Sequence, residues 1–293
     1  MTTPKKHNLF LLAVLITASL FFTQGCRTPE QVDSQVICKG ITASEQGLAY
    51  LAVHRQKARS FKANGSCVFH YFDSQWRKEQ FNVKMWFEPF DNFRMQGDIA
   101  FDPTGIVVGS NQNRFWLVLK PKEIRGYWWG QWEDENFYFE QIKINPRVFI
   151  EVFGIVDTGS WQNWTLTKRG RYDILVKKSP LGKITKEIYL DRCTQKIKRI
   201  EQLDDQGRVI IIAQIDNYQS VGDGFEVPRK IKIEKFSEIS KKDSVKIEID
   251  LSSINADKFT SRQKQALFSM PKKDHFDKVY RIVDDGYTIE QRK

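Results

Sequence analysis

Histidine and cysteine are scarce: the 293 residues hold four of each. There is no Cys-x-x-Cys pair and no Cys/His spacing suited to a tetrahedral metal, so a structural zinc cluster is excluded. The four histidines, His7, His54, His70 and His275, do not converge in sequence. No nucleophile elbow accompanies them. Glycine and proline, 17 and nine residues, are scattered as turn punctuation and form no linker or low-complexity tract. Gly97, Gly105 and Gly109 lack the strand-to-helix setting of a phosphate-binding loop. Long apolar runs are also missing, apart from one at the start of the chain. Acidic residues are the minority charge, 36 against 46 Lys and Arg, for a net +10.

What is abundant is aromatic: 21 Phe, eight Trp and nine Tyr. That supply suits a sizeable packed core and argues against disorder. A chain of this length accommodates one or two domains, and a single all-β domain can fill it.

The apolar run, Leu9 to Phe22, follows Lys5 and Lys6. Its 14 residues fall short of the roughly 20 that span a bilayer, but they suit the apolar region of a signal peptide. It ends in Thr23-Gln24-Gly25-Cys26. This segment resembles the lipobox of bacterial lipoproteins. In that family the signal peptidase cuts before the Cys, whose thiol and new amine are then acylated by chains such as palmitate. Thr23 stands where Leu is commoner, and the competing reading is an ordinary secretory signal with a chance Cys. By the same resemblance, Arg27 in place of Asp after the Cys favours outer-membrane sorting. The expected organisation is a signal peptide over 1–25, a lipidated tether over 26–40, and one domain over 41–293 with an added C-terminal extension from about residue 275. Cleavage removes Lys5 and Lys6, leaving 44 basic against 36 acidic residues, a net +8. Such a surface favours acidic partners such as lipid head groups, and an exported chain has no call on nucleic acid. With Cys26 acylated, Cys38, Cys67 and Cys193 remain: one disulfide and one thiol, the pairing left open. Cys67 sits in an apolar strand pattern and reads as a small buried hydrophobe.

Thr42-Ala43-Ser44-Glu45 reads as a capping box, with Leu48, Leu51 and Ala52 at helical spacing behind it; a helix is expected from about Thr42 to Arg59. From Phe61 the period becomes two. Phe81, Val83, Met85 and Phe87 alternate with polar neighbours, and Phe115, Leu117 and Leu119 alternate with Trp116 and Val118. The same holds around Tyr172–Val176 and Val245–Leu251. Turn signals at short intervals, such as Asp102-Pro103-Thr104-Gly105 and Ser179-Pro180-Leu181-Gly182, argue for an antiparallel meander. About ten or eleven strands are expected, a number that curls into a barrel or half-barrel. One greasy segment interrupts them. Asn145 and Pro146 suit a helix start, Val148, Phe149, Val152 and Phe153 form a stripe, and Gly154 suits its end.

This order of elements resembles the lipoprotein-localisation (Lol) family, which comprises a periplasmic carrier and an outer-membrane receptor that is itself a lipoprotein. The likeness runs over most of residues 42–270. It rests on Phe61-Lys62-Ala63-Asn64-Gly65 entering the first strand, the hairpin of Phe81–Phe87 and Phe93–Gly97, Val148–Gly154 as a lid segment, and Phe268-Ser269-Met270-Pro271 as a C-terminal Phe-x-x-Pro. The resemblance implies a mainly β fold with a few helices: a curved antiparallel half-barrel, an N-terminal helix, and a lid over an apolar cleft for acyl chains. It implies a wall from Met85, Phe87, Phe93, Met95, Val108, Trp116 and Val118, and a lid from Val148, Phe149, Val152 and Phe153. It also implies a protruding loop at Phe101, Pro103, Thr104 and Ile106, although Thr104 stands where the receptor has its projecting apolar residue. Catalytic residues, metal and cofactor are not expected. The expected partners are the membrane, through the N-terminal lipid, an acyl lipid or lipoprotein, and another envelope protein as the alternative, bound by a monomer facing the periplasm.

Because fold alone does not give function, two competitors stand beside the carrier. One is an envelope sensor or structural lipoprotein that binds a protein. The other is a glycosidase built on Glu133-Asp134-Glu135 beside Trp128 and Trp129, though adjacent acids in a turn more commonly make a solvated loop. The run Tyr127-Trp128-Trp129-Gly130-Gln131-Trp132 is expected to pack in the core, with Trp128 and Trp129 on opposite faces. The basic clusters Lys168-Arg169-Arg171 and Lys241-Lys242 read as solvated turns.

Overall fold

Alternation becomes strand wherever the sequence carries it. Phe81, Val83, Met85 and Phe87 are buried while Gln80, Asn82 and Lys84 face solvent. The computed structural model describes residues 38–73, 75–99, 102–120, 125–132, 147–236, 244–274, 276–283 and 286–290. Residues 39–293 form one unit. The signal segment, Cys26, Asn145, Pro146, Glu133-Asp134-Glu135, Lys241, Lys242 and His275 lie outside the described residues.

Two meanders make the sheet. The first comprises β1 (Phe61–Asp73), β2 (Gln75–Glu88), β3 (Asn92–Ile99), β4 (Asp102–Ser110), β5 (Arg114–Leu119) and β6 (Gly126–Gln131). The second comprises β7 (Trp164–Arg169), β8 (Tyr172–Lys178), β9 (Ile184–Asp191), β10 (Ile197–Leu203), β11 (Val209–Gly222), β12 (Phe225–Lys235) and β13 (Val245–Ala256). Antiparallel pairing of β1 with β13, from Phe61↔Ala256 to His70↔Lys246, joins them. A C-terminal hairpin, β14 (Val279–Val283) and β15 (Gly286–Glu290), completes one open sheet of 15 strands, a curved half-barrel. Its order is β15-β14-β6-β5-β4-β3-β2-β1-β13-β12-β11-β10-β9-β8-β7.

The strand count exceeds the expected ten or eleven because the short strands, six residues in β7 and five each in β14 and β15, are too brief to show a period. The pairing also departs from a pure meander. Val279, Tyr280 and Arg281 of β14 run parallel to Tyr127, Trp128 and Trp129 of β6. The C-terminal extension thus supplies a hairpin to the β6 edge, a common way to protect unpaired backbone groups.

Helix α1 (Ser44–Gln56) buries Leu48 and Leu51 against β7 and β8. Its start differs from the expected capping box. Ala43 is the N-cap, so no side chain is available there, and the Thr42 N–H and hydroxyl both donate to Gln46 Oε1. A full capping box occurs instead on α3 (Ser261–Phe268). There the Thr260 hydroxyl accepts from the Gln263 N–H, and the Gln263 side chain accepts from the Thr260 N–H. Cys38 and Cys193 are disulfide-bonded, and Cys67 is a free buried thiol.

Candidate functional site

Register arranges the inner face of the first meander in cross-strand rows. Ala63, Met85, Met95, Val108, Leu117 and Trp128 are successive partners across β1 to β6. Phe61, Phe87, Phe93, Ser110, Phe115 and Gly130 form the adjacent row. Side chains directly opposite one another in neighbouring strands are in contact, so each row is a continuous wall. Gly130 belongs to the second row for a steric reason: a Cβ there would stand 2.5 Å from Phe115 Cζ.

The segment 147–156 lies over these rows. A single turn, α2 (Val148–Glu151), is all the helix that forms; its C-cap is Val152, and Gly154, expected to end it, lies two residues further on at φ +78°. Val148, Phe149, Val152 and Phe153 are each at most 2% exposed. The Phe153 ring centroid is 5.4 Å from Phe61, 6.1 Å from Phe87 and 6.1 Å from Phe93. Phe149 stacks on Phe93 at 6.3 Å. Expected lid and expected wall therefore meet, through aromatic pairs at favourable separations. Met85, Phe87, Phe93, Met95 and Val108 are no more than 4% exposed.

Two polar contacts tie the lid down. His54 Nε2 of α1 is 3.2 Å from the Phe153 carbonyl oxygen. The Lys186 ammonium of β9 donates to Glu151 Oε1. Glu151 is fully buried, and its Oε2 has no hydrogen-bond partner. A buried carboxylate oxygen left unpaired costs on the order of 1–3 kcal/mol. His54 is held below its ordinary pKa, first by burial and then by Lys57; the Phe153 carbonyl and Glu226 pull it the other way. Neither residue stood out in the sequence. Glu151 is one charge within an apolar run, and His54 lies on the flank of a helix whose partner is 99 residues away.

Other expected residues fall elsewhere. Trp116 and Val118 face outward, in a separate cluster with Val107, Tyr127, Trp129, Phe276 and Val279. Alternation dictates this, because their neighbours Phe115, Leu117 and Leu119 take the inner face. Gly109 makes room for Trp116, since a Cβ there would lie 2.5 Å from Trp116 Nε1. The C-terminal segment covers this cluster: the Tyr127 hydroxyl donates to the Pro271 carbonyl at 2.7 Å. Trp128 and Trp129 do lie on opposite faces, and both are buried because each face has a cover.

The expected protruding loop is not one at its named positions. Pro103, Thr104 and Ile106 belong to β4, Ile106 is 5% exposed, and Thr104 donates from its N–H and hydroxyl to Asp102 Oδ1. The Asp-Pro-Thr-Gly signal was read as the turn, whereas Ile99 already pairs with Asp102. Phe101 lies outside the described residues. Of the basic clusters, Arg171 is paired with Asp191 and Arg169 donates to the Tyr189 hydroxyl.

The outer face of the second meander carries a groove of about 1300 Å³ across β1 and β8–β13. Lys198, Glu201, Lys230 and Glu248 line it together with Tyr172, Tyr189 and apolar side chains such as Val68 and Val209, so it mixes charged and apolar groups where the lidded face is apolar. Among the described residues no cluster of His, Cys, Asp and Glu has the makings of a metal site, and no helix is long and apolar enough to cross a membrane.

Three solved structures match the chain at low sequence identity. A putative outer membrane lipoprotein-sorting protein domain from Vibrio parahaemolyticus matches 76% of this chain and 97% of its own, at 12% identity and a TM-score of 0.49. A LolA superfamily protein from Nitrosomonas europaea matches 78% and 99%, at 10% identity and a TM-score of 0.48. A DUF1329 family protein from Desulfovibrio piger matches 77% and 97%, at 14% identity and a TM-score of 0.48. No protein-family model and no curated protein matches the sequence.

Proposed function

We propose that this chain is a lipid-anchored protein of the bacterial envelope that binds acyl chains of lipids or lipoproteins between its lid and the inner face of the sheet. The observation that carries the reading is the seating of Phe149, on a one-turn helix, and of Phe153, in the turn just after it, against the aromatic row Phe61, Phe87 and Phe93. Binding is partition and needs no catalytic group. Lifting two phenylalanines off the wall costs about 3–6 kcal/mol, and an acyl chain burying about ten methylenes in their place returns about 8 kcal/mol. The exchange is downhill, and the unpaired Glu151 oxygen lowers the cost of opening. Met85 and Met95, adjacent in the wall, adapt to chains of different shape. The lipobox-like Thr23-Gln24-Gly25-Cys26 supports acylation at Cys26, with two or more chains for a durable anchor. Arg27 and the basic balance favour the outer membrane, facing the periplasm. Residues 41–293 act as one domain and as a monomer.

The test uses the full chain purified in detergent and a palmitate analogue carrying a photoactivated diazirine. Labels mapped to Met85, Met95 or the lid, competed by unlabelled palmitate, are the expected result. Labelling confined to the N-terminal segment or the outer face overturns the reading. Phe153→Leu, which keeps bulk, is expected to retain labelling, and Phe153→Asp to abolish it while circular dichroism reports the fold.

A second reading, a protein-binding sensor or structural lipoprotein, draws on the groove of the second meander. Its carboxylates and cations suit a polar protein surface better than an acyl chain.

A further inference from the structure

Antiparallel register brings alternate hairpin turns to one rim of the sheet. The end of β1 and start of β2 lie at the same rim as the start of β13, because His70 pairs with Lys78 and Lys246. The end of β12 is there too, since Lys235 pairs with Val245 and Ile211. The turn between β8 and β9 follows through Gln202↔Lys186, and the start of β7 through Trp164↔Lys177.

Seven large apolar side chains are exposed among the described residues, and four of them stand on this rim. They are Trp76 at 55%, Trp161 at 59%, Leu181 at 86% and Phe236 at 40%. They come from four separate places in the chain and are spaced along the rim from β2 to β7. Single exposed apolar residues need no explanation, but several on one edge mark an interaction surface. Exposed cations stand among them: Arg77 and Lys78 beside Trp76, and Lys178 and Lys183 flanking Leu181. Among the described residues, the exposed acids of these turns are Asp157, Glu79 and Asp205, and Asp204 is paired with Arg208.

We infer that this rim docks on an anionic bilayer surface, with Trp76, Trp161, Leu181 and Phe236 entering the head-group region and Arg77, Lys78, Lys178 and Lys183 meeting lipid phosphates. Tryptophan partitions to the membrane interface, and basic residues near it gain from the negative surface potential. The exposed lysines favour a membrane over a protein partner, whose interface is depleted in lysine. The inference stands on strand topology and is independent of acyl-chain binding.

The experiment reconstitutes the full chain into vesicles of one part phosphatidylglycerol to three parts phosphatidylcholine, with or without bromine on the acyl chains. The N-terminal anchor holds every variant on the vesicle, so quenching of tryptophan fluorescence by bromine reports only the position of the rim. The expected result is strong quenching that falls by roughly half or more in the Trp76→Phe, Trp161→Phe double variant. It is also expected to fall in the Leu181→Asp, Phe236→Asp double variant, which keeps every tryptophan. Both pairs are exposed, so the fold is retained, as far-ultraviolet circular dichroism checks. Removing phosphatidylglycerol is expected to reduce the quenching. Equal quenching in wild type and both double variants overturns the proposal, as does indifference to lipid charge; a protein partner would then be the occupant to seek.

Discussion

His54 Nε2 and the Phe153 carbonyl oxygen, 3.2 Å apart, link the first helix to the lid. The ring also sits 5.0 Å from Phe225, so one side chain touches helix, lid and second meander.

Burial of His54 at this contact is expected to make the seating of residues 148–154 pH-dependent. Burial holds the folded-state pKa of His54 below its ordinary 6.5. The unfolded or open state therefore takes up the proton first. The contribution is fully present above pH 6.5 and is lost as the pH falls from there through the lowered folded value. Glu226 and Lys57 act on the ring with opposite signs. Hydrogen exchange at the amides of 148–154 is expected to quicken from pH 7 to pH 5 after correction for intrinsic rates. In His54→Gln, whose side-chain amide can still donate to Phe153, that pH dependence should vanish.

Glu151 and Lys186 form the second latch. Removing only the cation strands a fully buried carboxylate, and Lys186→Met is expected to cost about 3–5 kcal/mol in urea unfolding. The double change Lys186→Met, Glu151→Leu should recover most of that loss. Equal stability of the single variant and wild type would show that the pair contributes nothing to holding the lid.

Gly154 is irreplaceable on two grounds. Its φ of +78° disfavours any side chain, and a Cβ would lie 2.5 Å from His54 Cδ2. Gly154→Ala is expected to lose about 1 kcal/mol or more from backbone strain alone. Gly182, with φ +78° and nothing near its Cβ position, is the control: Gly182→Ala carries the strain without the clash. Thermal unfolding of the two variants separates the terms.

Cys67 is buried and its thiol is pushed up to about 12, chiefly by burial. At pH 8 it is expected to resist iodoacetamide in the folded protein and to react once guanidinium unfolds it. Prompt native-state labelling, read by mass spectrometry, would place it near solvent instead.

Much of the inner face was legible because the signal is local. Met85 and Phe87, on one strand, and Phe149 and Phe153, on one turn, follow from period and composition. The errors were errors of register and cover. Trp116 and Val118 are as apolar as their neighbours, and only strict alternation sends them outward. Ile106 pairs into β4 because the hairpin turns earlier than its Pro-Gly signal suggests. His54 and Lys186 were invisible because each meets its partner across 99 and 35 residues. Sequence spacing holds no trace of such a meeting.

The pairing of β1 with β13 has a temporal consequence. Each meander grows by adding a neighbour a few residues away, but the seam between them joins Phe61 to Ala256. During synthesis the first meander must wait for nearly the whole chain before its β1 edge is covered. Closing so distant a contact is slow, in the range of milliseconds to seconds for sheets dominated by non-local pairs. Until then both apolar halves are exposed to aggregation, and the seam is where assembly of this protein is most vulnerable.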